Sequence, residues 1–481
     1  MKRRWRAFQL RDELGLKGPP YSFWWGSLPW YFKSFEAGKP NDRYKRDYEW
    51  MQEYGKVYGV YIGPKLQIFV GDPEIVQQVF VKQFRKFSDR TVKEFVKYTD
   101  LKDSLLQITY ADGWKNVRSS MSPIFTTGKL KILHHIVDRV IDKFMEKMNE
   151  RATKAETFDI YWDFQSLTLD VIARCAFGIN SNALTDPKDP FLLNAVNVFR
   201  EFDSVNNWWI LAALMFPEFG FLTRFFYRGS KLQLAEKVLT DELVEEYYRR
   251  VRGHKEPESP DVMQLLIDSN DRIPKAYIVQ NCYFFLLAGY ETTSTSLGFC
   301  AWCLAKHGNV QERLYEEIQE AIRKDEGEFK LETFMKLPYL DLVFKEVLRY
   351  CTPVFSFITR ECIEETVIKN IRFPKGVWVN LPSYSLHHNP LIWEDPDKFL
   401  PERFLKLTPE QEQAFAPFGI GPRNCLGMRF AEMEFKMTIA RLISKYRIVL
   451  TSKSQDPLQV TAQTVICRPF SEVAVKLNER V

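Results

Sequence analysis

The ten residues Phe418-Gly-Ile-Gly-Pro-Arg-Asn-Cys425-Leu-Gly427 constrain this chain more than any other stretch. Two glycines, an arginine two residues before a cysteine and a glycine two after it describe a tight loop entering a helix, here over 427–445. Backbone N–H groups in such a loop point at a thiolate sulfur, and the N-terminus of the following helix lowers the thiol pKa. The segment is not a phosphate-binding loop, since no Gly-Lys-Ser/Thr follows, nor a dinucleotide fingerprint, since no third glycine falls in register.

Helical patterns dominate the rest, over 73–83, 91–99, 112–121, 129–151, 159–177, 190–205, 232–253 and 338–351. The longest, from Pro274 to His307, spans about 45–50 Å at ~1.5 Å per residue, enough to cross a whole globular domain. Val57 to Val70 alternates and is β-branched, a hairpin around Gly63-Pro64, and short strands are expected near 355–380. Residues 387–404 read as a proline-rich meander, and Arg252 to Pro260 as a polar loop. The class is mainly α with small β-sheets. With no internal repeat and no low-complexity linker, 41–481 reads as one domain behind an irregular basic, proline-containing segment, 1–40.

Several function classes drop out. A formal charge of +5 from 67 Lys+Arg and 62 Asp+Glu is too mild to make nucleic acid the partner. Eight cysteines in 481 residues do not make a disulfide scaffold. Cys300-Ala-Trp-Cys303 lacks a second pair, and no His falls in a zinc-hydrolase arrangement. No run of about 18 apolar residues marks a membrane span, and the basic N-terminus lacks a signal-peptide core. The most apolar run, Trp208 to Phe216, is followed by Phe219, Phe221, Phe225 and Phe226; it reads as a surface dipping into a bilayer or as core roofing a pocket.

Three further patterns carry chemistry. Ala288-Gly289-Tyr-Glu291-Thr292 interrupts an apolar helical run containing Phe284 and Phe285. Gly289 leaves room for a ligand, and Thr292 is placed to hydrogen-bond back to a carbonyl. Glu346-Val-Leu-Arg349 sets an acid and a base on one helix face, by itself an ordinary surface ion pair, with Pro401-Glu-Arg403-Phe404 downstream. Trp114 and Arg118, four apart, share a helix face and are spaced to donate to one anionic group.

At these residues the chain resembles the cytochrome P450 family. Phe418 to Gly427 matches the family's FGxGxRxCxG haem signature at every fixed position, and 288–292, 346–349, 401–404 and 114–118 match its AGx(D/E)T, ExxR, PERF and WxxxR elements. Ser122-Pro-Ile-Phe-Thr-Thr-Gly-Lys129 and Phe399-Leu-Pro-Glu-Arg-Phe404 are similar to the animal microsomal class, its third family and the related invertebrate detoxifying families. The resemblance implies a P450 fold with haem b between the long central helix and the Cys-loop helix, Cys425 as thiolate iron ligand, and Phe418, Ala288 and Gly289 against the haem. It implies Trp114, Arg118, Arg360 and Arg423 as haem-carboxylate partners, and Glu346, Arg349 and Arg403 as a buried network behind the haem loop. Glu291 and Thr292 would border the dioxygen site and deliver protons. Pocket candidates are Leu105–Thr109, Phe284, Phe285, Ala288, Val354, Phe355, Ser356 and Thr464–Val465.

The activity so implied is monooxygenation of a hydrophobic small molecule with electrons from NADPH through NADPH–cytochrome P450 reductase, with cytochrome b5 as an accessory partner. Docking would use Lys115, Lys129, Lys131, Arg429 and Lys436. The resemblance implies the cytoplasmic face of the endoplasmic reticulum membrane, and Lys2, Arg3, Arg4 and Arg6 resemble the basic stop that follows the class's hydrophobic anchor, this chain starting where that anchor would end, either trimmed or lacking in this form. The alternatives are a P450-fold isomerase or dehydratase acting on a peroxide without a reductase, and a non-catalytic haem or lipid binder.

Overall fold

The computed structural model describes residues 2–33, 36, 38–91, 94–203, 207–253, 261–268 and 274–480. Its axis is the Lys275–Lys306 helix, 32 residues long. No side chain from Tyr277 to Ala305 is exposed, as befits a helix apolar on all sides. Its most extensive partner is the Ile160–Phe177 helix. Two glycines on the central helix permit the approach: a Cβ on Gly289 would lie 3.1 Å from Ile172 Cδ1, and one on Gly298 would lie 2.9 Å from Tyr161. The Ile160–Phe177 helix is opened by Asp159, whose side chain accepts from Tyr161 N–H, and closed by Gly178 at φ +61°. Helices Thr127–Thr153, Pro190–Phe202, Lys231–Val251, Gly308–Lys324, Pro338–Tyr350 and Met428–Lys445 complete the body.

The β portion is small and split. Val57–Ile62 turns at Gly63-Pro64 into Lys65–Val70, which runs parallel to Trp378–Asn380 with Gln67 opposite Trp378. Thr359–Glu361 closes this sheet antiparallel, Arg360 opposite Val379. Phe158–Asp159, Ala474–Glu479 and Tyr446–Leu450 form a second sheet. A hairpin of Val460–Gln463 and Ile466–Pro469 turns at Thr464-Val465, with Thr464 at φ +55°.

The N-terminus departs from the irregular segment expected. Lys2–Glu13 is a helix, held by tertiary contacts that no local pattern announces. Phe8 stacks on Tyr21 at 4.9 Å and meets the Tyr61 ring edge at 4.8 Å. Arg4 is buried and donates to the carbonyls of Phe23, Trp24 and Met215. Helices Arg43–Tyr54 and Gly308–Lys324 are also additions to the elements expected; the second starts at once after His307, where backbone ψ swings to 73°. Of the helix expected over 91–99 only a 3₁₀ turn, Glu94–Tyr98, is formed, Val92 and Lys93 lying outside the described residues. Most of the loop expected over 252–260 lies outside them too. Among the described residues no helix is long and apolar enough to cross a membrane.

Candidate active site

The cysteine loop joins the Pro409–Ala414 helix to the Met428–Lys445 helix. It turns on Gly419 and Gly421, both at φ +73°. Gly421 is fixed twice over, because a Cβ there would sit 1.9 Å from the Phe80 carbonyl oxygen. Cys425 N–H donates to Phe418 O at 2.8 Å. Of the eight cysteines only Cys425 is exposed, and its exposure is to a cavity of about 410 Å³ that it lines with Phe418, Gly419 and Gly427. Burial pushes its thiol above the ordinary value, opposed by the Gly427 N–H and by the Arg118 and Arg90 cations.

Beside the thiol lies a cluster of guanidinium groups. Arg118 donates to Asn424 O and Oδ1, both at 3.0 Å, and so ties its helix to the residue before the cysteine. Arg423 lies over the Trp114 ring at 4.4 Å and donates to Ile108 O. Arg90, which sequence reasoning missed, lines the same cavity and donates to Phe357 O and Arg423 O. Arg360 does not line the cavity; it lies behind, stacked on Phe80 at 5.0 Å. Burial lowers Arg90 to about 10, and burial with the Arg90 charge lowers Arg423 to about 9. Arg360 is pushed down by burial and by the other two. The carboxylate nearest Arg423 is Asp89, 3.8 Å away. Arg360 Nε and Arg423 Nε are buried without hydrogen-bond partners. Buried cations in excess of their counter-charge form a site for a ligand with carboxylates of its own.

The opposite wall belongs to the central helix. Phe284, Phe285, Ala288, Gly289 and Thr292 all line the cavity, and Thr292 Oγ1 donates to Ala288 O at 2.7 Å. Gly289 makes room chiefly for Ile172 of the neighbouring helix rather than for a ligand. Glu291 is not on the cavity. Its carboxylate faces the Ile160–Phe177 helix, accepting from Tyr161 Oη at 3.0 Å and Gln165 Nε2 at 3.2 Å, and burial raises its pKa. Consecutive helical residues point about 100° apart, so Glu291 and Thr292 serve different faces. Of the other pocket candidates, Leu105, Leu106, Gln107, Val354, Ser356, Thr464 and Val465 line the cavity. Ile108, Thr109 and Phe355 do not; Phe355 packs with Tyr44, Ala462 and Cys467. Phe95, Phe199 and Phe202 join the wall from segments that carry no motif, and Phe125 joins it from the Ser122–Lys129 stretch.

Behind the loop, Glu346 accepts from Arg349 Nε and Nη2 at 2.8 and 2.9 Å, from Arg403 Nε at 3.1 Å and from Leu400 N–H at 2.9 Å. Arg349 also donates to His387 O. Both Glu346 and Arg349 are fully buried. Of the cations expected to dock a reductase, Lys436 is instead buried, bonded to Asp341 and Glu432. Lys115, Lys131 and Arg429 are exposed, and Lys131 pairs with Glu332.

A cavity-facing cysteine on a helix-entering loop, an apolar wall and a guanidinium cluster short of counter-charge fit a haem bound through a thiolate. The sequence profile of the cytochrome P450 family matches residues 18–476. The chain belongs to that family and is a haem-thiolate monooxygenase. It is similar to cytochrome P450 3A6 of Oryctolagus cuniculus, 32% identical over 461 residues that cover 90% of this chain and 87% of the relative. It is similar as well to cytochrome P450 3A29 of Sus scrofa, at 31% over 98% of this chain and 92% of the relative. Cytochrome P450 3A41 of Mus musculus is 29% identical over 99% and 93%.

Proposed function

We propose that this enzyme inserts one oxygen atom from O2 into a hydrophobic small molecule of xenobiotic, steroid or lipid-like character. Electrons would come from NADPH through NADPH–cytochrome P450 reductase, with cytochrome b5 as a second donor. The observation carrying the substrate class is the aromatic wall over the central helix, where an unpaired charge would be buried at high cost. Cys425 would hold the iron and Trp114, Arg118, Arg90 and Arg423 the propionates of haem b, which when bound supplies dioxygen activation; Arg360, off the cavity, would add only its charge from behind.

The chain's own groups then exclude water, orient the substrate and move protons. We assign delivery into the cavity to Thr292 Oγ1, which is freed for it when the bond to Ala288 O opens. Glu291 is assigned as a positioning residue, strapping the central helix to Tyr161 and Gln165. With reductase and NADPH, Thr292→Ala is expected to lower product formed per NADPH consumed by about tenfold or more, whereas Glu291→Gln retains most of it. An unchanged ratio in Thr292→Ala removes the assignment, and an equal loss in Glu291→Gln returns the acid to proton delivery. Failure of wild-type protein to turn over with reductase and NADPH would remove the electron source named here.

The same proposal sets the enzyme on the cytoplasmic face of the endoplasmic reticulum membrane. Its support is a set of exposed aromatics within 208–226: Trp208 is 63% and Phe225 59% exposed, Phe219 and Phe221 are exposed as well, Trp208 packs on Phe226 at 4.8 Å, and Trp25 packs on Phe216 at 5.8 Å. Trp209 of the same run turns inward. Flotation with phosphatidylcholine vesicles is expected to fall several-fold when Trp208, Phe219 and Phe225 become Ser; flotation equal to wild type removes this surface as the contact.

A further inference from the structure

His387 ends the Ser383–His387 helix and is fully buried, its carbonyl held by Arg349 and its ring 5.5 Å from that of Phe415. Nε2 accepts from Ala416 N–H at 3.3 Å, and a backbone N–H can only donate, so this nitrogen carries a lone pair. Nδ1 lies 3.0 Å from Thr352 Oγ1, whose one hydrogen goes to Arg349 O at 2.7 Å, so Nδ1 carries the hydrogen and donates. Two partners therefore fix the same neutral tautomer independently. Thr352 makes its bridge from φ +43°, a left-handed conformation rare for a β-branched residue.

Ala416 fastens the cysteine loop. Its carbonyl accepts from Gly419 N–H at 3.0 Å, and Phe418 O accepts from Cys425 N–H at 2.8 Å, so a run of bonds leads from His387 to the cysteine. A proton can reach the His387 ring only at Nε2, where its hydrogen would oppose the Ala416 N–H. The charged and titratable groups facing the ring are His388 beside it and Arg349 on the Pro338–Tyr350 helix; burial first, then these two, push the imidazole well below its ordinary value. Phe415 and Ala416 bring a ring and an amide but no charge. His388 is the opposite case. Its two nitrogens each lie 3.1 Å from a carbonyl, of Tyr384 and of Tyr350, so a proton adds a bond there, whereas at His387 it removes one.

We infer that His387 is a positioning residue for the iron ligand: in its neutral form it pins Ala416 and so sets the cysteine loop, and protonation at Nε2 lets the loop go. A histidine in an opened chain titrates near 6.5. Because the closed loop excludes that proton, its hold is complete above about pH 6.5 and weakens about tenfold for each unit below. The inference rests on Cys425 as the thiolate ligand. Absence of the red-shifted carbon monoxide band at neutral pH removes that ligand itself; with the band present, the outcomes below decide on His387.

The test follows decay of that band in the reduced holoenzyme at about pH 7.5 and about pH 5.5, on either side of the histidine value. Decay should accelerate between the two by about tenfold more in wild type than in His387→Gln, whose amide offers the same acceptor and donor but does not titrate. Comparing each protein with itself removes any general effect of the substitution. Equal acceleration in both would overturn the inference. If His387→Gln holds no haem, amide hydrogen exchange of the wild-type holoenzyme decides. Corrected for intrinsic rates, protection over 416–419 should fall about tenfold across the same interval while that of the central helix holds. Unchanged protection over 416–419 where the band is already decaying would overturn the inference. An equal fall in the central helix would overturn it too, as general unfolding.

Discussion

Glu346→Ala is expected to yield protein that neither holds haem nor folds stably. The Glu346 carboxylate is the shared acceptor of Arg349, Arg403 and the Leu400 N–H, so its removal strands two guanidinium groups at once. Arg349 is fully buried and cannot reach water for compensation. Breaking a buried pair by deleting one partner costs about 3–5 kcal/mol, against a total stability of roughly 5–15 kcal/mol for a typical domain. The penalty also falls on the loop's support, because Arg403 holds the Glu394 and Asp395 carbonyls while His387, whose carbonyl Arg349 holds, accepts from Ala416 N–H just before the cysteine loop. Haem content per folded chain and the urea midpoint measure it. A variant with wild-type haem content and midpoint would show that the network is dispensable.

The second large effect is at Gly421. Gly421→Ala places a Cβ 1.9 Å from the Phe80 carbonyl oxygen, at a φ of +73° that already disfavours a side chain. The obstruction is backbone, so the loop must move, and Cys425 moves with it. Gly419→Ala is the internal control. It shares the φ of +73°, but its Cβ would meet nothing closer than 3.8 Å. Only the left-handed conformation is charged there, about 1–2 kcal/mol. Gly421→Ala should therefore lose haem binding while Gly419→Ala keeps it with reduced stability. Equal behaviour of the two would mean that the contact with Phe80 does not fix the loop.

The features that sit on contiguous residues are legible in the sequence itself: the cysteine loop, the acid–base pair at Glu346 and Arg349, and the long central helix. What stays hidden there depends on which face packs against what. Gly289 reads as space for a ligand, but only the approach of Ile172 shows which neighbour uses that space. Glu291 and Thr292 group together because they are adjacent in the chain, an adjacency that on a helix separates them. Lys436 reads as a surface cation, whereas the fold brings in Asp341, 95 residues away, to pair with it. Arg90 stands in a stretch with no pattern, and becomes a candidate only where the fold brings it to Arg423. The Lys2–Glu13 helix depends on Tyr21, Tyr61 and Met215, contacts of up to 211 residues' separation that no local window contains.

Everything above turns on Cys425 as the thiolate ligand of a haem in this cavity. The most direct measurement is the difference spectrum of the dithionite-reduced, freshly purified protein with and without carbon monoxide. The account predicts the red-shifted band of thiolate-ligated ferrous haem, lost in Cys425→Ala. A band typical of imidazole-ligated haem from fresh, folded wild-type protein would contradict it.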